Sequence, residues 1–148
     1  MRLALGVTVL ATATACGGEK PDPYAASLAR GSEHIEIRGV VDGGAIRGYG
    51  DFTNETGHMI VITNTGAVLE EVVAGHRIYV KNDGQWSTST AAGFLTPSQV
   101  FLKRVPARIE NGLVRSVTFR NAHGRETITF SRYGEHVSVT VPRVKGSH

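Results

Sequence analysis

The chain holds one cysteine, Cys16, in 148 residues. No intramolecular disulfide can form, so the core must be held by packing alone. Beyond Cys16 no apolar run approaches the roughly 20 residues that a spanning helix needs. Catalytic signatures are missing as well. There is no Gly-x-Ser-x-Gly elbow, no Gly-x-Gly-x-x-Gly turn and no P-loop. The only thiol lies at residue 16, outside any Cys/His constellation. The six histidines are scattered. His34 and Glu36 share a strand face, but no His-x₃-His or His-Glu-x-x-His pattern occurs. The histidines therefore read as surface or turn residues. The sequence calls for no enzyme activity, no cofactor and no metal.

What is present begins at the N-terminus. Met1-Arg2 supplies one positive charge, and an uncharged, mostly apolar run follows from Leu3 to Ala15. It ends in Ala13-Thr14-Ala15-Cys16 and then Gly17-Gly18. A charged start, a short apolar middle and a small-residue end make a secretory signal. A cysteine directly after the small residues makes it a lipoprotein signal, cleaved before Cys16 once diacylglycerol is on the thiol. The alternative is an ordinary secretory signal cut near Ala15 with a free thiol left behind. An unpaired exposed cysteine is unusual in an oxidising compartment, which favours lipidation. Residues 1–15 are thus expected to be a signal peptide, and 16–32 a lipidated cysteine and flexible tether. A β domain is expected over 33–142, with a tail at 143–148. The partner of the anchor is the outer face of the cell membrane.

From Glu33 onward apolar stretches alternate with Asx-Gly or Gly-rich turns, among them Asp42-Gly43-Gly44, Asn82-Asp83-Gly84 and Asn111-Gly112. Such spacing predicts an antiparallel meander. Strands are expected near 33–42, 45–54, 58–64, 67–74, 76–82, 113–121, 125–132 and 135–142, the last stopped by Pro142. A short helical turn fits 24–31. One helix interrupts the strands at 97–105. Thr96-Pro97-Ser98-Gln99 is a capping box with proline at the first helical position, Leu95 and Val100 form a staple, and Pro106 ends the helix. Gly39, Gly48 and Gly50 fall inside strands, where glycine marks a bend or a close backbone approach. The fold class is therefore mainly β, α+β in detail. Either a bent sheet with a helix in its hollow or plain tight packing fits these glycines. The run Met59-Ile60-Val61-Ile62 is apolar on both faces, so its register is open.

The net charge of +3 is unevenly placed. Residues 16–99 carry 6 basic and 10 acidic side chains, and residues 100–148 carry 9 and 3. Arg115, Arg120, Arg125 and Arg132 sit in or beside candidate strands. An exported protein meets little nucleic acid, so none is expected as a partner. Anionic headgroups are the alternative partner of a basic surface. A solvated strand face is the simpler reading.

Four stretches, in order, carry a family resemblance. They are the cysteine at 16, the hairpin Ile35-Glu-Ile-Arg-Gly-Val-Val with Gly48-Tyr-Gly-Asp-Phe, the strand His76-Arg-Ile-Tyr-Val-Lys with Gly84-Gln-Trp86, and Ile128-Thr-Phe-Ser-Arg-Tyr-Gly-Glu-His-Val-Ser-Val-Thr-Val-Pro142. The chain resembles a short member of the LppX/LprAFG family of actinobacterial envelope lipoproteins. Typical members are longer between the Gly-x-Trp and the last strands. The resemblance implies a strongly bent antiparallel sheet, a LolA-like half-barrel, here with one short helix on its concave side. It also implies that lipid or glycolipid acyl chains are held between sheet and helix. The wall positions it suggests are Ile35, Ile37, Ile46, Phe52, Ile78, Val80, Phe101, Phe119, Phe130 and Val139. Two functions follow from different classes. One is a membrane-anchored lipid carrier with an apolar hollow. The other is a tethered interaction module with a filled core, binding an envelope protein or cell-wall polymer.

Overall fold

The computed structural model describes residues 18–90 and 95–144. Cys16, the expected signal peptide and the last residues of the expected tail lie outside them. Among the described residues nine strands form one antiparallel sheet. They are β1 (Ser32–Val41), β2 (Gly44–Thr53), β3 (Thr56–Thr63), β4 (Val68–Ala74), β5 (Arg77–Asn82), β6 (Gln85–Ser89), β7 (Ala107–Glu110), β8 (Leu113–Asn121) and β9 (Gly124–Ser131). Their order is β6-β5-β4-β3-β2-β1-β9-β8-β7. The sheet curves without closing, leaving β6 and β7 as its edges. Two short helices, α1 (Pro23–Leu28) and α2 (Pro97–Leu102), accompany it.

The turns follow from residue chemistry. Asp42-Gly43, Asp83-Gly84 and Asn111-Gly112 all have positive φ at both positions, the geometry of tight two-residue hairpins. Curvature follows from missing side chains. A Cβ on Gly48 would stand 2.7 Å from the Ile60 carbonyl oxygen, and one on Gly50 2.5 Å from that of His58. Neighbouring backbone fills the space a side chain would take, which is the close approach expected of a strand glycine. α2 is capped as its sequence predicts. Thr96 Oγ1 accepts from the Gln99 amide at 3.3 Å, and Gln99 Oε1 accepts from the Thr96 amide at 2.9 Å. The helix stops at Leu102, short of the expected 105, because Arg104 takes a positive φ of 51°.

The turn expected near 24–31 is α1, so the sheet carries two helices rather than one. Asp22 caps α1 and pairs with Arg104 just beyond α2. The Tyr24 hydroxyl donates to the Val105 carbonyl at 2.8 Å. Buried Ser27 accepts from the Val114 amide at 2.9 Å, tying α1 to β8. Among the described residues every element lies between Pro23 and Ser131, so a chain starting at residue 18 keeps them all.

Two strands escaped the sequence reading. β6, Gln-Trp-Ser-Thr-Ser, is a polar edge without apolar alternation, and β7 has only four residues. One expected strand does not form. Residues 135–142 join no ladder. Their alternation, Val137-Ser-Val139-Thr-Val141, serves another purpose. The segment starts beside His34 and Asp51 and ends beside Tyr79 and Thr88. Those residues lie along one cross-strand row, Ser131–His34–Asp51–His58–Val72–Tyr79–Thr88. The segment therefore runs across the strands on the outer face as a strap. Under it Val72 and Tyr79 are only 2% and 6% exposed.

Candidate functional site

Strand register sorts the apolar residues. One face carries Glu33, Ile35, Ile37 and Gly39 of β1 beside Phe52, Gly50, Gly48 and Ile46 of β2. Met59 and Val61 of β3, Glu71 and Val73 of β4, and Ile78 and Val80 of β5 continue it. On the other side Phe130 and Ile128 of β9 and Val117 and Phe119 of β8 complete it. The helices lie on this face, where Val100 and Phe101 of α2 enter the core with Tyr24 and Leu28 of α1. The register left open at Met59-Ile60-Val61-Ile62 is thereby fixed. Met59 and Val61 point inward, because Met59 stands between Gly50 and Glu71.

The two halves of this face differ. Over β1, β2, β8 and β9 it is filled. Ile35, Ile37, Phe52, Phe101 and Phe130 are all buried, and the Phe101 and Phe130 rings stand 5.2 Å apart. Ile46 and Phe119 pack against that cluster. Toward β4 and β5 the packing opens. A cleft of about 520 Å³ lies between α2, the β2–β3 turn and the β4–β5 turn. Its apolar lining is Phe52, Val73, Ile78 and Leu102, and Leu102 is 69% exposed. Its rim is polar, with Asn54, Thr56, His76, Ser98 and Gln99.

Of the ten wall residues that the family resemblance suggests, Phe52 and Ile78 line this cleft. Val80 shares their face, next to Ser87 on the edge strand. Val139 sits in the strap, on the opposite side of the sheet from the other nine. Val73 and Leu102 were missed as wall residues. Leu102 was legible as part of the apolar side of α2. Nothing in the sequence marked Val73, because the side of β4 that faces inward depends on its pairing with β3.

The electrostatics of the inner face centre on Glu33. It is 1% exposed, and neither carboxyl oxygen has a hydrogen-bond partner among the described residues. Burial pushes its carboxyl up to about 8. Nearby Tyr133 is also raised, first by burial and further by Glu33. Its hydroxyl donates to the Val114 carbonyl at 2.6 Å. On the outer face burial alone would raise Glu70, but hydrogen bonds from Lys81 and His58 outweigh it and hold the carboxyl low. His34 Nδ1 lies 2.8 Å from Asp51 Oδ1, in a polar recess of about 170 Å³ at the start of the strap. His34 therefore pairs with Asp51, not with Glu36. Among the described residues no group of three or more His, Cys, Asp or Glu side chains could hold a metal.

An open antiparallel half-barrel, with helices and a cleft on its concave side, is the class these features define. The chain has the fold of LprF and of the lipoprotein LppX. It matches the crystal structure of LprF from Mycobacterium bovis with a TM-score of 0.50 at 14% identity, over 84% of this chain and 94% of that one. It matches LppX from Mycobacterium tuberculosis with a TM-score of 0.50 at 15% identity, over 78% of this chain and 99% of that one. No protein-family model matches the sequence, and no curated protein matches it.

Proposed function

We propose that the chain is a lipoprotein anchored through Cys16 to the outer face of the cell membrane, and that it binds lipid or glycolipid acyl chains in its concave cleft. The observation that carries this reading is the cleft under α2. Its volume, about 520 Å³, falls within the roughly 300–1,000 Å³ usual for small-molecule sites. Its floor is apolar and its rim carries hydroxyl and amide groups, which suits a chain below and a polar headgroup above. Leu102 supports it further. A leucine this exposed beside an apolar cleft costs water contact that a bound chain would remove. The fold shared with LppX and LprF is consistent with the reading. Binding, and a carrying role built on it, is the activity proposed, with no covalent chemistry.

The filled half of the core favours the second reading, an interaction module without cargo. Denaturing lipid extraction and mass spectrometry of residues 18–148, produced in an actinobacterial host, separates the two. A defined lipid at one per chain is the expected result, and it should be lost when Val73 and Leu102 are both replaced by Glu. Protein that carries no lipid and takes up none when lipids are added would establish the interaction module instead.

A further inference from the structure

We propose that the bare end of the convex face is a docking surface for anionic phospholipid headgroups, formed by Arg38, Arg47, Arg120 and Arg125 with Tyr49 and Val40 among them.

Strand register brings these residues together. Arg38 of β1 is directly opposite Arg47 of β2, and Arg120 of β8 is directly opposite Arg125 of β9. Val40 sits beside Arg125 in the same row, one step from Arg38. Four cations thus occupy two adjacent rows near the tips of the β1–β2 and β8–β9 hairpins. Like charges directly opposite each other weaken a sheet. The fold gains no compensation for either pair. Among the described residues Arg47, Arg120 and Arg125 make no ion pair, and Arg38 has only an exposed contact to Glu36 at 3.9 Å. The acidic groups near the patch are that Glu36 and Asp42, which is paired with His123 at 3.0 Å. Glu126 points to the concave face, opposite Phe119.

The remaining surface identifies the partner. Tyr49 and Val40 are each about half exposed on this face. Arg47 is followed along its row by Ile62 and then by exposed Val68. Two shallow depressions, of about 770 and 410 Å³, meet at Arg38. A soluble polyanion would neutralise the arginines and gain nothing from tyrosine, valine and isoleucine between them. A lipid–water interface uses both, because headgroup phosphates take the cations while the apolar side chains enter the headgroup layer. The strap divides the convex face accordingly. It starts beside His34 and Asp51, ends beside Tyr79 and Thr88, and buries Val72 and Tyr79, while Arg38, Arg47, Arg120 and Arg125 stay exposed.

The test is vesicle co-sedimentation of residues 18–148, using phosphatidylcholine vesicles with and without phosphatidylglycerol. Binding is expected to the anionic vesicles alone, and to disappear near 1 M salt, where the screening length falls to about 3 Å. Each arginine removed from the patch should lower the partition coefficient about fivefold. Arg47→Gln/Arg125→Gln should therefore lower it about twenty-five-fold, with an unchanged or higher melting temperature because each like-charged pair is relieved. Arg77→Gln/Arg108→Gln removes the same charge elsewhere and should leave most of the binding intact. The proposal is overturned by absent or equal binding to the two vesicle types, by a patch variant that binds like the parent, or by a control variant that weakens binding as much. The readout is independent of whether the cleft holds lipid.

Discussion

Glu33 makes the fold sensitive to pH through one buried carboxyl. In the unfolded chain it titrates near 4.5, and in the folded chain near 8. Between those values the folded chain keeps a proton that the unfolded chain has released. Stability therefore falls as pH rises from 4.5 to 8, by about 1.4 kcal/mol for each pH unit, and levels off above. Glu33→Gln should remove most of that slope. Urea midpoints measured across this range should show the variant well above the parent at pH 8 and close to it at pH 4. Parallel curves would place the carboxyl's proton elsewhere. Gly57 is the second residue whose identity the packing specifies. It is paired with Phe52, whose ring lies where a Cβ would be. Gly57→Ala should cost about 2–3 kcal/mol through overpacking. An unchanged denaturation midpoint would show that the ring can swing aside. Neither effect was legible in the sequence. Glu33 falls in strand alternation like any polar residue, and Gly57 reads as a turn residue, whereas here it is a floor for an aromatic ring.

At the scale of elements, local chemistry was the most readable. Asx-Gly pairs placed the hairpins, and Thr96-Pro97-Ser98-Gln99 placed the start of α2, since both act through backbone groups within a few residues. The strap was misread for a physical reason. An alternating Val-x-Val-x-Val stretch presents one apolar edge whether it joins a ladder or lies across one, and periodicity cannot tell the two apart. The strap's contribution can be measured. A chain ending at Gly134 should lose about 3–6 kcal/mol, because Val72 and Tyr79 become exposed and each such side chain contributes about 1.5–3 kcal/mol when buried. Hydrogen exchange should quicken in β4 and β5 while β8 and β9 keep their protection. Uniform loss of protection would mean that the strap holds the whole sheet and not one half of it.

At the scale of the molecule, a bent β fold was expected and is what forms, but the placement of the cleft was beyond reach. The family resemblance points to an apolar wall without placing it. Alternation tells which residues share a face, not which part of that face the helices fill. α2 covers the β1–β2 half and leaves Val73 and Ile78 lining an open cleft. Strand topology governs how the molecule is made. β1 takes its second neighbour, β9, from the far end of the chain, with His34 opposite Ser131. During synthesis β1 to β6 can pair in sequence, but one margin of β1 keeps its amides and carbonyls unpaired until β9 arrives. Late closure of so distant a contact is slow, and an unpaired strand margin is the part of a β protein most able to join a neighbouring copy. The β7–β9 unit therefore acts as the closing piece of assembly, and the time before it arrives is when the nascent chain most needs protection from its own copies.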